Sequence, residues 1–537
     1  MADSLFFTGL ATLLAISVGI LLLIDFKQSQ PYLDEIFHIP QAQQYCEYKF
    51  SEWDPKITTL PGLYLVSLAI LRVAAFFSST ELIDVCSVLW LRFTNVFFVI
   101  GNAWLLREVL IQLNLQNSRK SFPNKDKKEN TYTEDVLKTK STITALVLST
   151  FPVLYFFTFL YYTDSGSTCF VLLMYLMSLK QSHVAAALSG IAAIMFRQTN
   201  VIWVVFSAGT VALKKLEQYR ELKNQKSQSL PREIILYVQL FFKHCISMCF
   251  VLWTYGLVVL GFGGFIIANK GIVVGDRSSH EACLNFPQLF YFLAFTLFFS
   301  IPLLILPSNI IDFLNFLKTL VQRPLKLLKC ILVLFCMAFL VYHFTYVHKY
   351  LLADNRHYPF YVWRKFYARH WLARYLAIPV YAYTGFSLTA ILSKKQQSIW
   401  QLLFWICVTL ATVPQKLFEF RYFIIPYIFC RIHSPLASYI SIVLEFVLYF
   451  AINFITVYLF IEKPFVWENE PNQVQRFIGK MNMIAGTKLS INVICEKVCL
   501  FLLRCFLELY LFKTRNSRLV HRGMRRVRAH PPLGGQR

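Results

Sequence analysis

The chain has 537 residues, of which 56% are hydrophobic and 15% are charged, and its mean hydropathy is +0.51. This composition excludes a soluble globular protein and predicts an all-α polytopic membrane protein. The net charge of +24 would indicate a nucleic-acid partner in a soluble protein. Here the basic residues lie in short segments between hydrophobic runs, which is the positive-inside pattern, so we expect no nucleic acid.

The first hydrophobic span, about Leu5 to Ile24, is followed by two adjacent acids, Asp34 and Glu35. Further spans follow and no small-residue cleavage site is evident, so the span is predicted to remain as a helix or an uncleaved signal anchor. If the short N-terminus stays in the cytosol, both acids emerge on the luminal side of a secretory-pathway membrane. Two carboxylates at that boundary suggest chemistry at the bilayer surface.

Two basic loops orient the spans that come next. They include Arg119 to Lys140 and Lys214 to Arg232, and positive-inside bias places both in the cytosol. This requires the stretch Ile57 to Phe77, which contains Pro61-Gly62, to lie along the luminal interface, whereas Val88 to Leu113 crosses the membrane.

The remaining hydrophobic runs complete a prediction of about thirteen crossings. Several are short for a hydrocarbon core of about 30 Å, so we expect helices that are partly buried in protein or that lie in locally thinned membrane. The further predicted crossings are about Thr142–Tyr161, Gly166–Leu179, Val184–Phe196, Val201–Leu213, Ser247–Ile267, Leu289–Leu306, Cys330–Phe344, Tyr375–Leu392, Leu402–Val413, Phe423–Cys430 and Leu436–Leu459.

This alternation places the polar segments of the chain on the luminal face. A polyprenyl-phosphate sugar can diffuse in the bilayer and present its phosphate there. Glycosyl transfer from such a donor needs a carboxylate that takes the proton of the acceptor hydroxyl and cations that stabilise the phosphate leaving group. Asp34 or Glu35 would be the base. The candidate donor-phosphate and substrate-binding residues are Arg197, Gln198, Asp276, Arg277, His280, His348, Lys349, Asp354, Arg356, His357, Lys416 and Arg421.

Structural roles remain open for the same residues. Asp34-Glu35 could be a solvated pair or could cap a helix that begins near Ile36. Asp276-Arg277 and the string Asp354-Asn355-Arg356 could be loop ion pairs, and Glu419 is near enough in sequence to pair with Arg421.

The thirteen cysteines mostly lie within hydrophobic runs. Cys46 and Cys283 are luminal in the predicted topology, where oxidation is permitted, and a bridge between them is one option. The sequence has no CxxC pair, no HExxH motif and no Asn-x-Ser/Thr sequon. We expect no metal cofactor, although the sequence does not exclude one.

Six strings resemble the endoplasmic-reticulum alpha-1,2-glucosyltransferases that add the terminal glucose to the lipid-linked oligosaccharide. The resemblance extends to about Phe477 and implies a GT-C fold with interfacial luminal helices in the first loop. It also implies an active site that faces the lumen, with Asp34 as base ahead of Glu35. The strings are PYLDEIFHIPQAQQYC, WDPKITTLPGLYL, FRQTN, GDRSSHEACLNFPQLFYF, HKYLLADNRHYPFYVWRK and PQKLFEFRYFIIPY.

The resemblance further implies the substrates. The donor would be dolichyl-phosphate-glucose, and the acceptor would be the diglucosylated dolichyl-diphosphate high-mannose oligosaccharide, which is completed before its transfer to asparagine. A single displacement on a beta-linked donor gives the alpha product with inversion. Two alternatives remain: another polyprenyl-phosphate-sugar transferase such as a mannosyltransferase, and a transporter or flippase. No internal repeat supports the transporter.

The resemblance divides the chain into a membrane glucosyltransferase domain, 1–477, and a divergent C-terminal extension, 478–537. The extension contains an apolar run, about Ile491 to Leu511, and a basic tail. If the run forms a fourteenth helix, positive-inside bias places the tail in the cytosol.

Overall fold

The computed structural model describes residues 2–121, 127–222, 230–277, 282–348, 351–352, 354–467 and 470–477. The extension 478–537 therefore lies outside the described residues. The α-helices are α1 Ala2–Lys27, α2 Glu35–Cys46, α3 Gly62–Ser78, α4 Val88–Ser121, α5 Lys127–Ser149, α6 Pro152–Phe157, α7 Asp164–Leu179, α8 His183–Phe196, α9 Val201–Leu222, α10 Leu230–Lys243, α11 Cys245–Asn269, α12 Pro287–Phe299, α13 Ile301–Leu304, α14 Pro307–Gln322, α15 Pro324–Phe344, α16 Tyr358–Val362, α17 Ala373–Leu376, α18 Ile378–Ser393, α19 Ser398–Thr412, α20 Ile424–His433 and α21 Tyr439–Glu462.

Short irregular helices and one β-hairpin complete the secondary structure. Gln198–Asn200 and Phe420–Phe423 are 3-10 turns, and Trp363–Tyr367 is a π-helical turn. In the described part of the chain, the sheet structure consists of one antiparallel pair, β1 Phe465–Trp467 and β2 Glu470–Gln475. The fold is therefore all-α apart from this hairpin.

Six helical stretches among the described residues are long and apolar enough to cross a membrane. They are α1, residues Val88–Ser118 of α4, α11, α15, the stretch Ala373–Ser393 and α21. Helices α3, α7, α8, α12 and α19 are apolar but shorter. The prediction of an all-α membrane protein is confirmed. The count of about thirteen crossings and the GT-C architecture stay predictions.

Proline positions explain where two predicted crossings break. The run Thr142–Tyr161 divides into α5 and α6 at Pro152, and the run Leu289–Leu306 divides into α12 and α13 just before Pro302. Both prolines occupy the first turn of the new helix, where the missing N–H is tolerated. Each run is thus two helices with a bend.

The helices α10 and α14 lie in segments that the sequence predicts as cytosolic loops. Both are amphipathic: α10 buries Tyr237 and Leu240, whereas α14 exposes Ile311, Leu314 and Val321 along one face. Their hydrophobicity is one-sided, so a search for continuous apolar spans passes over them.

The apolar core beneath the first loop is built from four parts of the chain. Leu21 and Ile24 of α1 pack with Val99 of α4, with the aromatic segment around Phe159, and with Phe460 at the end of α21. Tyr32 and Leu33 are buried on this same core. The residues immediately before Asp34 are therefore fixed by packing.

A disulfide joins the end of α2 to the segment before α4, because Cys46 pairs with Cys86. Cys283 is a free thiol, and its backbone N–H donates to the carbonyl oxygen of Pro414 at 3.2 Å. The bridge between Cys46 and Cys283 that the sequence leaves open is thus not formed. Helix α3 lies in sequence between the paired cysteines, so the disulfide brings the two ends of the segment that contains α3 together.

The segment after the hairpin is anchored on the first loop by Arg476. Its backbone N–H donates to the hydroxyl of Tyr32 at 2.8 Å. Its guanidinium donates to the carbonyl oxygen of Lys27 at 2.6 Å and to the side chain of Gln28 at 3.0 Å. It also donates to the carbonyl oxygen of Phe460 at 3.1 Å. The end of the described chain therefore holds the exit of α1.

Candidate active site

Asp34 lies at the N-terminus of α2, directly after a residue in an uncommon backbone conformation. Leu33 has φ of 58°, in the left-handed region that bulky residues rarely adopt. Its burial in the core holds it there. The Asp34 side chain makes no capping hydrogen bond to α2. A turn that costs backbone strain thus directs the carboxylate away from its own helix, as at many functional sites.

The carboxylate of Asp34 is half exposed beside a guanidinium. Its side chain keeps 48% of its surface accessible, and Arg421 donates from Nη2 to Oδ2 at 3.3 Å. The backbone N–H of Asp34 donates to the hydroxyl of Tyr162 at 3.1 Å. The carboxylate is positioned but still accessible to another molecule.

The surroundings of Asp34 keep it ionised. The protein packed around the half-exposed side chain of Asp34 acts to raise its pKa. Arg421, His38 and His357 have the opposite effect, which is larger, so the pKa of Asp34 lies below its ordinary value. Burial lowers the pKa of neighbouring His38 to about 4, so this imidazole is neutral at neutral pH. Its Nδ1 lies 2.5 Å from the hydroxyl of Tyr64.

Glu35 has a different environment from its neighbour. Its side chain and that of Arg92 are both 0% exposed, and Arg92 donates to the two carboxylate oxygens at 2.9 and 2.7 Å. The backbone N–H groups of Tyr161 and Tyr32 donate to the same oxygens at 2.6 and 3.0 Å. Four donors thus occupy the carboxylate of Glu35.

A chain of acid–arginine contacts continues from Asp34. Arg421 forms ion pairs with Asp34, with Glu419 and, at 3.6 Å, with Asp164. Asp164, which is buried, also pairs with Arg197 Nη2 at 2.9 Å. The contact between Arg421 and Glu419, which the sequence leaves open as an alternative, is present. Asp164 links the two arginines.

A second polar group lies beside the first loop, where the guanidinium of Arg356 lies over the ring of Tyr32. Asp354 accepts from Arg356 Nε and Nη2 at 2.9 and 2.8 Å and lies 3.5 Å from Nε2 of His357. Arg356 Nη1 donates to Gln475 at 3.1 Å, and its guanidinium stacks on Trp467. The alternative of a loop ion pair is therefore present at Asp354 and Arg356, and the hairpin supports it.

Three further candidates make contacts in the loops that follow α2, α8 and α11. Gln198 Nε2 donates to the carbonyl oxygen of Thr58 at 2.8 Å. The backbone N–H of Asp276 donates to the carbonyl oxygen of Pro55 at 2.6 Å. Arg277 donates to the carbonyl oxygens of Lys270, at 2.9 Å, and of Asn269, at the end of α11. The contacts of Gln198 and Asp276 position the segment 55–58, and those of Arg277 close the turn that follows α11.

The last candidates form a separate aromatic and basic group. Lys416 lies over the ring of Tyr346, 5.3 Å from its centroid, and the ring of buried His348 is also beside Tyr346. His280 and Lys349 lie outside the described residues. The structure thus brings together Asp34, Arg197 and Arg421. It places His357, with Asp354 and Arg356, near Asp34, and it places Lys416 and His348 beside Tyr346.

Asp164 and Arg92 were not among the predicted site residues. An acid at the start of an apolar helix is expensive in a membrane and is a signal of function by itself, so Asp164 could have been identified from the sequence. Arg92 lies 57 residues from Glu35, and only the fold shows that they meet. In the portion of the chain that the structure describes, no group of three or more His, Cys, Asp or Glu side chains is arranged to hold a metal ion.

The fold and the site together define an all-α integral membrane protein with an accessible carboxylate beside linked acid–arginine pairs. The chain belongs to the DIE2/ALG10 family, whose model matches residues 28–432.

Curated relatives cover most of the chain. It is 44% identical to the rat "Dol-P-Glc:Glc(2)Man(9)GlcNAc(2)-PP-Dol alpha-1,2-glucosyltransferase" over 466 residues, which is 84% of this chain and 93% of the relative. The identity is 43% to a human protein of the same name, with the same coverage. It is 34% to the protein of that name from Arabidopsis thaliana, covering 84% of this chain and 95% of the relative. No solved structure matches the chain.

Proposed function

We propose that this protein transfers glucose from dolichyl-phosphate-glucose to the diglucosylated dolichyl-diphosphate oligosaccharide and forms an alpha-1,2 linkage. The matches to the rat and human relatives span 93% of each relative, and both relatives are named for this activity. We assign the catalytic base to Asp34 because its carboxylate is half exposed and ionised. Glycosyl transfer to a hydroxyl requires a base that the acceptor can reach.

The reaction is a single displacement. The acceptor hydroxyl attacks the anomeric carbon of the beta-linked donor glucose, and Asp34 accepts the hydroxyl proton. As the new carbon–oxygen bond forms, the bond from the anomeric carbon to the phosphate oxygen breaks, and dolichyl phosphate leaves with the electron pair. The configuration inverts to alpha. No covalent sugar intermediate is needed, so one carboxylate suffices.

Glu35 has a positioning role in this proposal. Its carboxylate is fully buried and accepts four hydrogen bonds, so it presents no free lone pair to a substrate. By holding Arg92, Tyr32 and Tyr161 it fixes the turn that carries Asp34. The adjacent acids therefore have different roles: Asp34 is the base, and Glu35 holds the turn in place.

Arg197 and His357 are the best-placed ligands for the donor phosphate. Arg421 is surrounded by three carboxylates, so its charge is already balanced, and we assign it the positioning and ionisation of Asp34. Among the residues that the structure describes, Arg197 pairs with one carboxylate, that of Asp164, and its side chain is 16% exposed. His357 is 25% exposed and acts electrostatically on Asp34. A guanidinium suits phosphate oxygens because of its planar fork.

The site faces the lumen of the endoplasmic reticulum in this proposal, within a GT-C fold of about thirteen crossings. The Cys46–Cys86 disulfide supports this orientation, because disulfides persist in the oxidising compartments of the secretory pathway. Both cysteines belong to the first loop with Asp34. The short helix α3 between them then lies at the luminal interface and does not cross.

The test is glucose transfer by the purified full-length protein from dolichyl-phosphate-glucose to the diglucosylated acceptor. Asp34→Asn should lower kcat by about 10²–10⁴-fold, the usual contribution of a general base, with unchanged thermal stability. Asp84→Asn, which alters an exposed acid in the same loop, is the matched control and should retain full activity. Wild-type activity in Asp34→Asn would remove Asp34 from the mechanism. Transfer from dolichyl-phosphate-mannose in place of the glucose donor would favour a mannosyltransferase.

The same assay tests the proposal that no metal is required. The guanidinium of Arg197 supplies the positive charge near the leaving phosphate, so EDTA should leave the rate unchanged. Loss of activity in EDTA that returns with Mn²⁺ would contradict this part of the proposal.

A further inference from the structure

An apolar groove runs between helices α8 and α11. Its walls on α8 include Val184, Leu188, Ile191 and Met195, which recur at helical spacing along the whole helix. On α11 the wall residues are Trp253, Thr254, Leu257, Val258, Gly261, Phe262 and Phe265. The cavity volume is about 480 Å³. From Val184 to Met195 the groove extends about 17 Å at 1.5 Å per residue, or roughly half of a hydrocarbon core.

One end of the groove is closed by contacts between the two helices. The hydroxyl of Thr254 donates to the carbonyl oxygen of His183 at 3.3 Å, and the ring Nδ1 of His183 lies 3.2 Å from the hydroxyl of Tyr255. Since α11 is a candidate membrane span, the walls between these contacts and the luminal loops lie within the bilayer.

The other end of the groove meets the active-site loops. Leu60 of the first loop lines it beside Met195. A Cβ at Gly62 would lie 2.6 Å from the backbone of Met195, so the loop and the end of α8 approach closely. Two residues past Met195, the guanidinium of Arg197 pairs with Asp164 and so joins the cluster around Arg421 and Asp34. The groove therefore leads from apolar walls to a cation near the base.

We propose that this groove binds the polyprenyl chain of the glucose donor, with the donor phosphate at Arg197. The inference rests on the proposed function and adds the location of the lipid. An apolar chain that ends in a single negative charge matches apolar walls that end in a guanidinium. A phosphatidylcholine has two tails instead of one, and its headgroup cation offsets the charge of its phosphate.

The chemistry of the two substrates selects the donor over the acceptor. In the donor, the lipid is joined to the reacting anomeric carbon through one phosphate, so its first isoprene unit must lie next to Asp34 during transfer. In the acceptor, a long oligosaccharide separates the lipid from the reacting hydroxyl, so its lipid has no such constraint. Only the donor chain is required to begin where this groove ends.

Two glycines of α11 provide matched variants. Gly261 lines the groove and Gly263 does not. An added Cβ at either position would meet nothing within 4 Å. The two positions differ by about 200° around the helix. Gly261→Phe places a ring in the groove, whereas Gly263→Phe places it on the other side of α11. Replacing glycine within a helix also favours folding of that helix.

The kinetic test compares dolichyl-phosphate-glucose with the single-isoprene donor 3-methylbutyl-phosphate-glucose, whose chain is too short to fill the groove. Gly261→Phe should lower the ratio of kcat/KM for the long over the short donor by about tenfold, the scale on which a filled hydrophobic pocket discriminates. Gly263→Phe should leave this ratio unchanged. Equal ratios in wild type and Gly261→Phe would overturn the proposal.

A binding test remains valid even if glucose transfer is not found. A polyprenyl phosphate with a photoreactive diazirine in its chain should label peptides of α8 and α11 in the wild-type protein and much less in Gly261→Phe. Excess dolichyl phosphate should suppress the labelling, and phosphatidylcholine should not. Labelling confined to other helices, or equal suppression by phosphatidylcholine, would show that the groove holds ordinary bilayer lipid and would refute the proposal.

Discussion

Asp34 and Glu35 are adjacent residues in different electrostatic surroundings. Glu35 and Arg92 form a pair from which water is excluded, whereas Asp34 shares Arg421 with Asp164 and Glu419 and keeps half of its surface accessible. A carboxylate that acts as a base must be ionised before the acceptor arrives and must be open to it. At the scale of single residues, only Asp34 meets both conditions.

The pH dependence of kcat/KM should reflect the lowered pKa values around Asp34. The pKa of Asp34 lies below its ordinary 3.8, and that of His38 is about 4. Neither group titrates between about pH 5 and pH 7, so neither should change kcat/KM in this range. Initial rates across this range provide the measurement.

Arg421 variants test the origin of the low pKa. Removing the cation in Arg421→Gln should raise the pKa of Asp34 and shift the acid limb of the profile to higher pH, whereas Arg421→Lys retains the charge and should shift it less. An unchanged acid limb in Arg421→Gln would show that Arg421 does not act on the base.

Glu35→Gln should mainly reduce stability. The substitution removes the fully buried one of the two carboxylates that pair with Arg92 and leaves the partly exposed Asp25; breaking a buried pair costs up to about 3–5 kcal/mol. The midpoint of thermal unfolding in detergent should therefore fall clearly in Glu35→Gln. The exposed-acid control Asp84→Asn should melt like wild type, and wild-type stability of Glu35→Gln would contradict the anchoring role.

At the scale of elements, helix α2 is attached to α4 at both of its ends. The Glu35–Arg92 pair joins the start of α2 to the first turns of α4, and the Cys46–Cys86 disulfide joins the end of α2 to the residues just before α4. An element held at two points cannot rotate about its axis. The direction of the Asp34 side chain is therefore determined by both attachments together.

Loss of the disulfide should destabilise this region. For a loop of 40 residues, the chain-entropy relation gives about 4 kcal/mol, so Cys46→Ser and Cys86→Ser should both lower the unfolding midpoint by a similar amount. Cys283→Ser replaces a free thiol and serves as the control. Thiol labelling of the unfolded protein with and without reductant gives a second readout, and equal labelling in both conditions would show that the bridge does not form.

At the scale of the whole molecule, hydropathy was sufficient to locate most helices. The predicted run Ser247–Ile267 agrees with α11, and Gly166–Leu179 agrees with α7 to within two residues. The amphipathic helices α10 and α14 were missed because only one face of each is apolar. Apolar length is visible in a sequence, but one-sided burial depends on the neighbours.

The candidate site was predictable only in part for the same reason. Charged residues at membrane boundaries are conspicuous, which identified Asp34, Arg197 and Arg421. Their partners depend on long-range packing: 387 residues separate Asp34 from Arg421, and 40 separate the paired cysteines. The sequence shows which residues are costly to bury, and the fold shows which of them pair with each other.

The orientation of the whole chain can be tested with engineered glycosylation sites, because the natural sequence has no Asn-x-Ser/Thr sequon. Glu47→Asn together with Lys49→Thr creates one in an exposed turn of the first loop, and this variant should gain a glycan that an endoglycosidase removes. Lys394→Asn together with Gln396→Thr creates one in a predicted cytosolic loop and should gain none. The reverse pattern would invert the proposed topology.

The anchoring of Arg476 on the first loop has a consequence for biogenesis. The ribosome delivers Asp34 early, but Arg421 and then Arg476, which bonds to Tyr32, to Gln28 and to the end of α1, follow hundreds of residues later. The nascent chain therefore carries Asp34 without Arg421, and the first loop without Arg476, for most of its synthesis. A message truncated before Arg421 would yield an inserted but incomplete protein that exposes buried charges, which is a substrate for quality control.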